Sequence, residues 1–155
     1  LRSLSCVIYL TSRAELRLYG QTGYIMDKQA KRGAAYEWGM EAEQIAADYL
    51  LARGYVIRER RWRCGASKKE IDIIAEKDAV MVFVEVKART CADTDPAEAV
   101  DARKIRFLTQ AADNYLAELP YDYSYRFDII GITGTAVQHG IEHIEDAFLP
   151  PLTTR

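Results

Sequence analysis

A chain of 155 residues with 49% hydrophobic content can bury the core of one domain, and no boundary signal argues for a second. The net charge of −2 excludes a simple polybasic binder. No apolar run approaches the length of a membrane-spanning helix.

Cys6, Cys64 and Cys91 are odd in number and widely spaced. Without a C-x-x-C they support neither a disulfide framework nor a zinc knuckle, and they fit a reducing cytoplasm. Residues 1–32 read as an N-terminal extension, disordered or upstream of the natural start, because Met26-Asp27-Lys28-Gln29 is a plausible beginning. The stretch 4–10 is too short and too polar-punctuated for a signal peptide.

Over 34–53, Trp38, Ala42, Ile45, Ala46, Tyr49 and Leu50 recur at helical spacing, and Gly54 is a natural stop. Glu43 borders that stripe and can point inward. A plain surface acid is the simpler account of it. Residues 55–63 then read as a strand. Between Arg53 and Lys69 lie seven basic residues, with Arg58, Arg60, Arg61 and Arg63 among them, against one acid, Glu59, and Trp62 sits within the run. Such a segment suits a phosphate backbone. A sheet edge guarded by charge would look similar.

The most informative stretch follows, as two apolar strands around a short polar turn. Glu70, Asp72, Glu85 and Lys87 interrupt residues that are otherwise Val, Ile, Phe and Met. Charges in such strands are costly to bury unless paired or metal-bound. Side chains alternate along a strand, so Glu85 and Lys87 share one face. A turn centred on Lys77-Asp78 sets Glu70 opposite Glu85 and Asp72 opposite Phe83. Three carboxylates and one ammonium then crowd one face of a hairpin. Carboxylates that close repel unless a cation sits between them, and a hard divalent ion such as magnesium takes oxygen ligands. An ordinary ion-paired surface hairpin is the competing account of a generic E-x-K.

Asp95-Pro96-Ala97-Glu98 predicts a helix start, with an acid cap, proline at the first helical position and glutamate three residues after the cap. An apolar stripe continues to Pro120, and Arg103, Lys104 and Arg106 lie mostly off it. Residues 125–133 and 138–144 read as two further strands, with Gly131 and Gly134 marking their connection. His139-Gly140-Ile141-Glu142-His143 fits the inverted zinc-protease pattern H-x-x-E-H. That chemistry requires a helix, whereas in a strand the two histidines stand more than about 10 Å apart.

An acidic residue on one core strand followed by E-x-K on the next resembles the PD-(D/E)xK restriction-endonuclease-like nucleases. The wider chain resembles the YraN family of small bacterial proteins, which are similar to archaeal-type Holliday junction resolvases. The likeness is carried by Gly39-x-x-Ala42-Glu43, Gly54-Tyr55, Glu70-Ile71-Asp72-Ile73-Ile74 and Phe83-Val84-Glu85-Val86-Lys87-Ala88-Arg89. Ala99-Val100 with Lys104, Arg126-Phe127-Asp128 and His143-Ile144-Glu145-Asp146-Ala147-Phe148 extend it over roughly residues 33–148. Two segments depart from the pattern: Lys69 stands where glycine is usual, and 90–95 lacks an aromatic-glycine pair.

The resemblance implies an α/β domain over 33–149 with a restriction-endonuclease-like core, its mixed central sheet flanked by helices, and a short tail at 150–155. It also implies a Mg²⁺- or Mn²⁺-dependent nuclease. Glu43, Asp72, Glu85 and Lys87 would be the catalytic set. Asp72 and Glu85 would ligate the ion, with Glu43, Glu70 and the Val86 carbonyl assisting. Arg58, Arg60, Arg61, Trp62, Arg63, Arg89 and Lys104 would contact nucleic acid, DNA before RNA. Relatives that cut junctions imply a homodimer, and no membrane is involved. The alternative is a non-catalytic protein that keeps the fold and binds nucleic acid or a complex partner.

Overall fold

The computed structural model describes residues 13–65, 70–89 and 100–150, with side chains from Arg32 onward. The chain divides into two compact units, Leu1–Glu37 and Trp38–Arg155. Of the N-terminal extension, residues 1–12 lie outside the described residues, and 13–32 belong to helix α1 (Arg13–Ala52). The second unit holds a five-stranded sheet in the order β1-β2-β3-β4-β5. Its strands are β1 (Val56–Trp62), β2 (Ile71–Lys77), β3 (Val80–Arg89), β4 (Ser124–Gly134) and β5 (His139–Ile144), and α2 (Ala102–Ala117) lies between β3 and β4 in sequence. The β3–β4 pair is parallel and the others are antiparallel, so the sheet is mixed, as expected.

Strand alternation divides the core into two layers. Val82 and Val84 of β3 pack with Ile73, Ala75, Ile130 and Ile132 against Ala42, Ala46, Ala47 and Leu50 of α1. Met81 and Phe83 point the other way, toward Leu108, Ala111, Ala112 and Tyr115 of α2. The helices therefore cover opposite faces of the sheet. Phe83 lies edge-on to Tyr115 at 6.0 Å and near Phe127 at 5.7 Å, contacts that add about 0.5–1.5 kcal/mol each beyond burial.

Helix α1 stops where its glycine predicts. Gly54 takes a left-handed φ of 81°, the Tyr55 amide donates to the Leu50 carbonyl at 3.1 Å, and the Gly54 amide donates to the Leu51 carbonyl at 3.0 Å. This paired closure satisfies carbonyls the helix would otherwise leave open, and buried Tyr55 packs back on Leu50.

The hairpin register differs from expectation by two residues. Lys77 pairs with Val80 and Ile73 with Val84, so the two-residue turn is Asp78-Ala79. Both turn residues have positive φ, 52° and 62°. Two left-handed residues give a turn whose twist matches the flanking strands, which a turn centred one residue earlier would not do. Continuing this register by one residue sets Asp72, and not Glu70, opposite Glu85. A shift of two leaves Ile73, Ile74 and Ala75 on their expected faces, whereas Ile71 joins the α2 layer and not the layer of Ile73.

The second helix also differs. The proposed start at Asp95 lies outside the described residues, as do Lys69 and the departing segment 90–95. Asp101 instead caps α2, with extended backbone and its carboxylate accepting from the Lys104 amide at 2.7 Å. Gly131 does not mark a turn but sits inside β4, between Lys87 and Glu142. Gly134 does mark it, at φ 116°. No described helix is long and apolar enough to cross a membrane.

Candidate functional site

Four elements bring their charges together at one end of the β1–β2–β3 ladder. Strand β2 supplies Asp72, with Glu70 just before it; β3 supplies Glu85 and Lys87; α1 supplies Glu43; α2 supplies Lys104 from its first turn. Glu85 is buried and Asp72 half-buried. The Val86 amide donates to Asp72 Oδ2 at 2.8 Å, tying the carboxylate to the neighbouring strand. What the geometry shows of Val86 at the site is this amide.

Glu43, Glu70 and Asp72 each place a carboxylate oxygen within 4.8 Å of the others. Glu43 is held near the site by the apolar stripe of α1, on which Ala42 and Ala46 are fully buried. Its Oε2 is buried without a hydrogen bond, and Arg61 Nε lies 3.9 Å from it. Burial raises the Glu43 carboxyl above its usual range, with Arg61 opposing the effect. Asp72 is pushed up to about 7, chiefly by burial and next by the charge of Glu85, against the Val86 hydrogen bond.

Each remaining carboxylate carries two cations. Glu70 Oε1 accepts from Arg61 Nε and Nη2 at 3.1 and 2.8 Å, and Oε2 accepts from Arg63 Nε and Nη2 at 2.9 and 2.7 Å. Burial alone would raise Glu70, but these four bonds outweigh it and hold the carboxyl below its usual range. Lys87 Nζ donates to Glu85 Oε1 at 2.8 Å. Lys104 Nζ lies 2.7 Å from Glu85 Oε2, close enough for an ion pair though not aligned as a hydrogen bond. Lys104 also reaches the Glu70 carbonyl at 3.5 Å.

The expected catalytic set is therefore brought together, but the three-carboxylate cluster runs through Glu43, Glu70 and Asp72. Glu85 stands beyond Asp72 with its lysines. Lys104, expected to contact nucleic acid, points into the site and pairs with Glu85. Its position depends on a helix that starts at Asp101, a cap overshadowed in sequence by Asp95-Pro96. Gly131 is the β4 neighbour of Lys87 and leaves that position without a side chain.

The basic run of β1 disperses. Arg58 pairs with Glu76 at 2.9 Å and Arg60 donates to Gln44 at 2.7 Å. Arg61 and Arg63 turn to the carboxylates, while Trp62 packs edge-on to Tyr115 at 5.4 Å. A register shift between Ile57 and Glu59 and a left-handed Arg61 (φ 52°) accompany this arrangement. Arg89 ends β3 beside Thr133.

A second charged cluster lies on the α1 face. Asp128, fully buried, accepts from Arg126 Nε at 3.0 Å and Nη2 at 3.1 Å, and from the Asp146 amide at 3.0 Å. His143 Nε2 is 2.8 Å away. Burial would raise the Asp128 carboxyl, yet the bonds from His143, Arg126 and Asp146 together lower it. His139 and His143 both lie in β5, and His143 is committed to Asp128, so H-x-x-E-H is not a helical zinc site. The cluster and the Ala147 amide, which donates to the Phe127 carbonyl at 2.7 Å, fasten the end of the domain to β4.

The model of the uncharacterised protein family UPF0102 matches residues 42–132. A UPF0102 protein of Phocaeicola vulgatus is 44% identical over 117 residues, covering 75% of this chain and 95% of the relative. A Bacteroides fragilis relative is 45% identical over 117 residues (74% and 93%), and one from Chlorobaculum parvum is 40% identical over 124 residues (74% and 95%). The matched segment contains Glu43, the carboxylate hairpin and Lys104. This chain belongs to family UPF0102, the YraN family that its motifs resemble.

Proposed function

We propose that the protein is a metal-dependent nuclease that hydrolyses phosphodiester bonds in nucleic acid. The observation carrying this reading is the convergence of Glu43, Glu70 and Asp72 within 4.8 Å, with a buried Glu43 oxygen lacking any hydrogen bond. These features fit a hard divalent cation, because an all-oxygen donor set that repels itself gains most from one. Asp72, Glu43 and Glu70 would hold Mg²⁺ or Mn²⁺, with Glu85 on the far side of Asp72. When bound, such an ion supplies Lewis-acid polarisation of the phosphate and a more acidic water. Lys87, fixed by Glu85, would place an ammonium where negative charge develops on phosphorus oxygens. The Val86 amide keeps Asp72 oriented throughout.

Cleavage of DNA in Mn²⁺ should vanish in Asp72→Ala and Lys87→Ala while circular dichroism shows both folded. Undiminished cleavage in both would remove this mechanism. The same preparation, sedimented with and without DNA, tests the homodimer implied by junction-cutting relatives.

A second reading has its own support: Glu70 and Glu85 are already paired with two cations each. A non-catalytic protein that binds nucleic acid or a complex partner would show this self-neutralised site. It predicts metal-independent DNA binding, with calorimetry detecting no Mn²⁺ binding that depends on Asp72.

A further inference from the structure

The ion pairs around Glu70 raise a question that the nuclease reading leaves open. A carboxylate whose two oxygens are each held by a guanidinium cannot also serve a metal ion. Yet Glu70 is one of three residues whose oxygens converge. Resting on the metal-dependent reading above, we propose that Arg61 and Arg63 form an exchangeable clamp. They neutralise Glu70 in the metal-free protein and pass to a nucleic-acid phosphodiester when a divalent cation takes Glu70. Metal and phosphodiester binding then reinforce each other.

Charge balance supports the exchange. Glu43, Glu70, Asp72 and Glu85 gather beside Arg61, Arg63, Lys87 and Lys104, four carboxylates against four cations that pair with Glu43, Glu70 and Glu85. With all ionised, the set is neutral. A divalent ion adds two positive charges in a partly buried place, where uncompensated charge is costly. The phosphodiester backbone supplies compensating negative charge, and guanidinium recognises its oxygens by the same two-nitrogen contact used here on Glu70.

Geometry supports it as well. Trp62, between the two arginines, pairs with Ile71 and packs on Tyr115, so the strand can stay fixed while the flanking side chains move. Arg63 is 53% exposed at its side chain and borders solvent, where a backbone phosphate would arrive. Arg61, 29% exposed and in contact with the Met40 thioether, lies deeper between Glu43 and Glu70. Clearing Arg61 and Arg63 from Glu70 exposes the oxygens the cation needs. The released guanidiniums then stand next to that cation, where the cleaved linkage must sit.

Calorimetric titration of Mn²⁺ into the full chain, alone and with a saturating short DNA duplex of slowly cleaved phosphorothioate linkages, tests the coupling. The duplex should tighten Mn²⁺ binding about tenfold, and Mn²⁺ should tighten duplex binding by the same factor, since coupling is reciprocal. A duplex with uncharged methylphosphonate linkages should give no coupling. In Arg61→Gln/Arg63→Gln, Mn²⁺ alone should bind more tightly than in the wild type, duplex binding should weaken, and the factor should fall toward one. Should the double variant not fold, Arg63→Gln at the exposed position should show the same changes at smaller size. Mn²⁺ binding with a wild-type factor of one, or full coupling in the folded variants, overturns the exchange alone. Absence of any Mn²⁺ binding overturns the metal reading and the exchange with it.

Discussion

Replacing Asp72 by Asn should stabilise the fold at neutral and alkaline pH while abolishing metal binding. Asp72 is pushed up from 3.8 to about 7, first by burial and then by Glu85. A carboxyl whose folded pKa lies above its unfolded value binds protons more tightly in the native state. Stability therefore falls as pH rises through the window between these two values and is lowest above about 7. A shift of roughly 3 units corresponds to about 4 kcal/mol at 1.36 kcal/mol per unit, an upper bound for one half-buried group. Asparagine is neutral at every pH and keeps an oxygen that can accept from the Val86 amide, whose present bond is 2.8 Å.

The assay is urea unfolding of wild type and Asp72→Asn at pH 5 and pH 8, without divalent ions. The variant should gain about 2–4 kcal/mol relative to wild type at pH 8 and much less at pH 5, where protonated Asp72 resembles Asn. Added Mn²⁺ should then stabilise the wild type alone, because only a state that binds the ion gains from it. Equal destabilisation at both pH values would mean that Asp72 is a favourable structural ion partner. The reasoning from burial would then be wrong.

Ala79→Gly should raise stability by about 0.5–1 kcal/mol, because alanine at φ 62° is strained by about 1–2 kcal/mol and glycine returns part of that as chain entropy; thermal unfolding reads it. Gly134→Ala should cost about 2 kcal/mol or more, since its φ is 116° and a Cβ would lie 2.4 Å from the Gln138 carbonyl oxygen; a variant as stable as wild type would contradict that turn. Asp128→Ala should cost about 3–5 kcal/mol by stranding Arg126 and His143, yet leave Mn²⁺ affinity unchanged. Because the Asp128 carboxyl is lowered, its contribution is present above its unfolded pKa near 3.8 and is lost as pH falls through the lower folded value. Acid titration of the wild type against His143→Ala should show that loss weakened.

Strand alternation and helical spacing made most of the fold legible. The stripe from Trp38 to Leu50 met β3 through Val82 and Val84, and the parity of Glu85 and Lys87 placed them on the opposite face. The hairpin register was not legible, because Asp78-Ala79 carries no glycine to announce two left-handed residues. The cap at Asp101 was hidden by a stronger local signal six residues earlier. The site was legible as a gathering of charges but not as a set of pairings. Alternation states which residues share a face. Which of Arg58, Arg60, Arg61 and Arg63 turn toward Glu70 depends on an irregularity of β1, a register shift between Ile57 and Glu59 followed by a left-handed Arg61, that no single residue type encodes.

That irregularity has a consequence for what the site can be. In a regular strand Arg58, Arg60 and Trp62 would share one face, and Arg61 and Arg63 the other. Arg60 instead shares the α1 face with Gln44, while Trp62 joins the α2 layer. The left-handed Arg61 lies between them. Backbone strain of this kind costs about 1–3 kcal/mol and persists only where its surroundings impose it. What it accomplishes here is to deliver two guanidiniums to one carboxylate beside Glu43 and Asp72. A surface edge guarded only by charge would need no such distortion, because evenly alternating arginines protect an edge equally well. Strain spent on aiming Arg61 and Arg63 at the acidic cluster, next to an Asp72 whose charge the fold disfavours, is what a site built to receive a cation and an anion together would require.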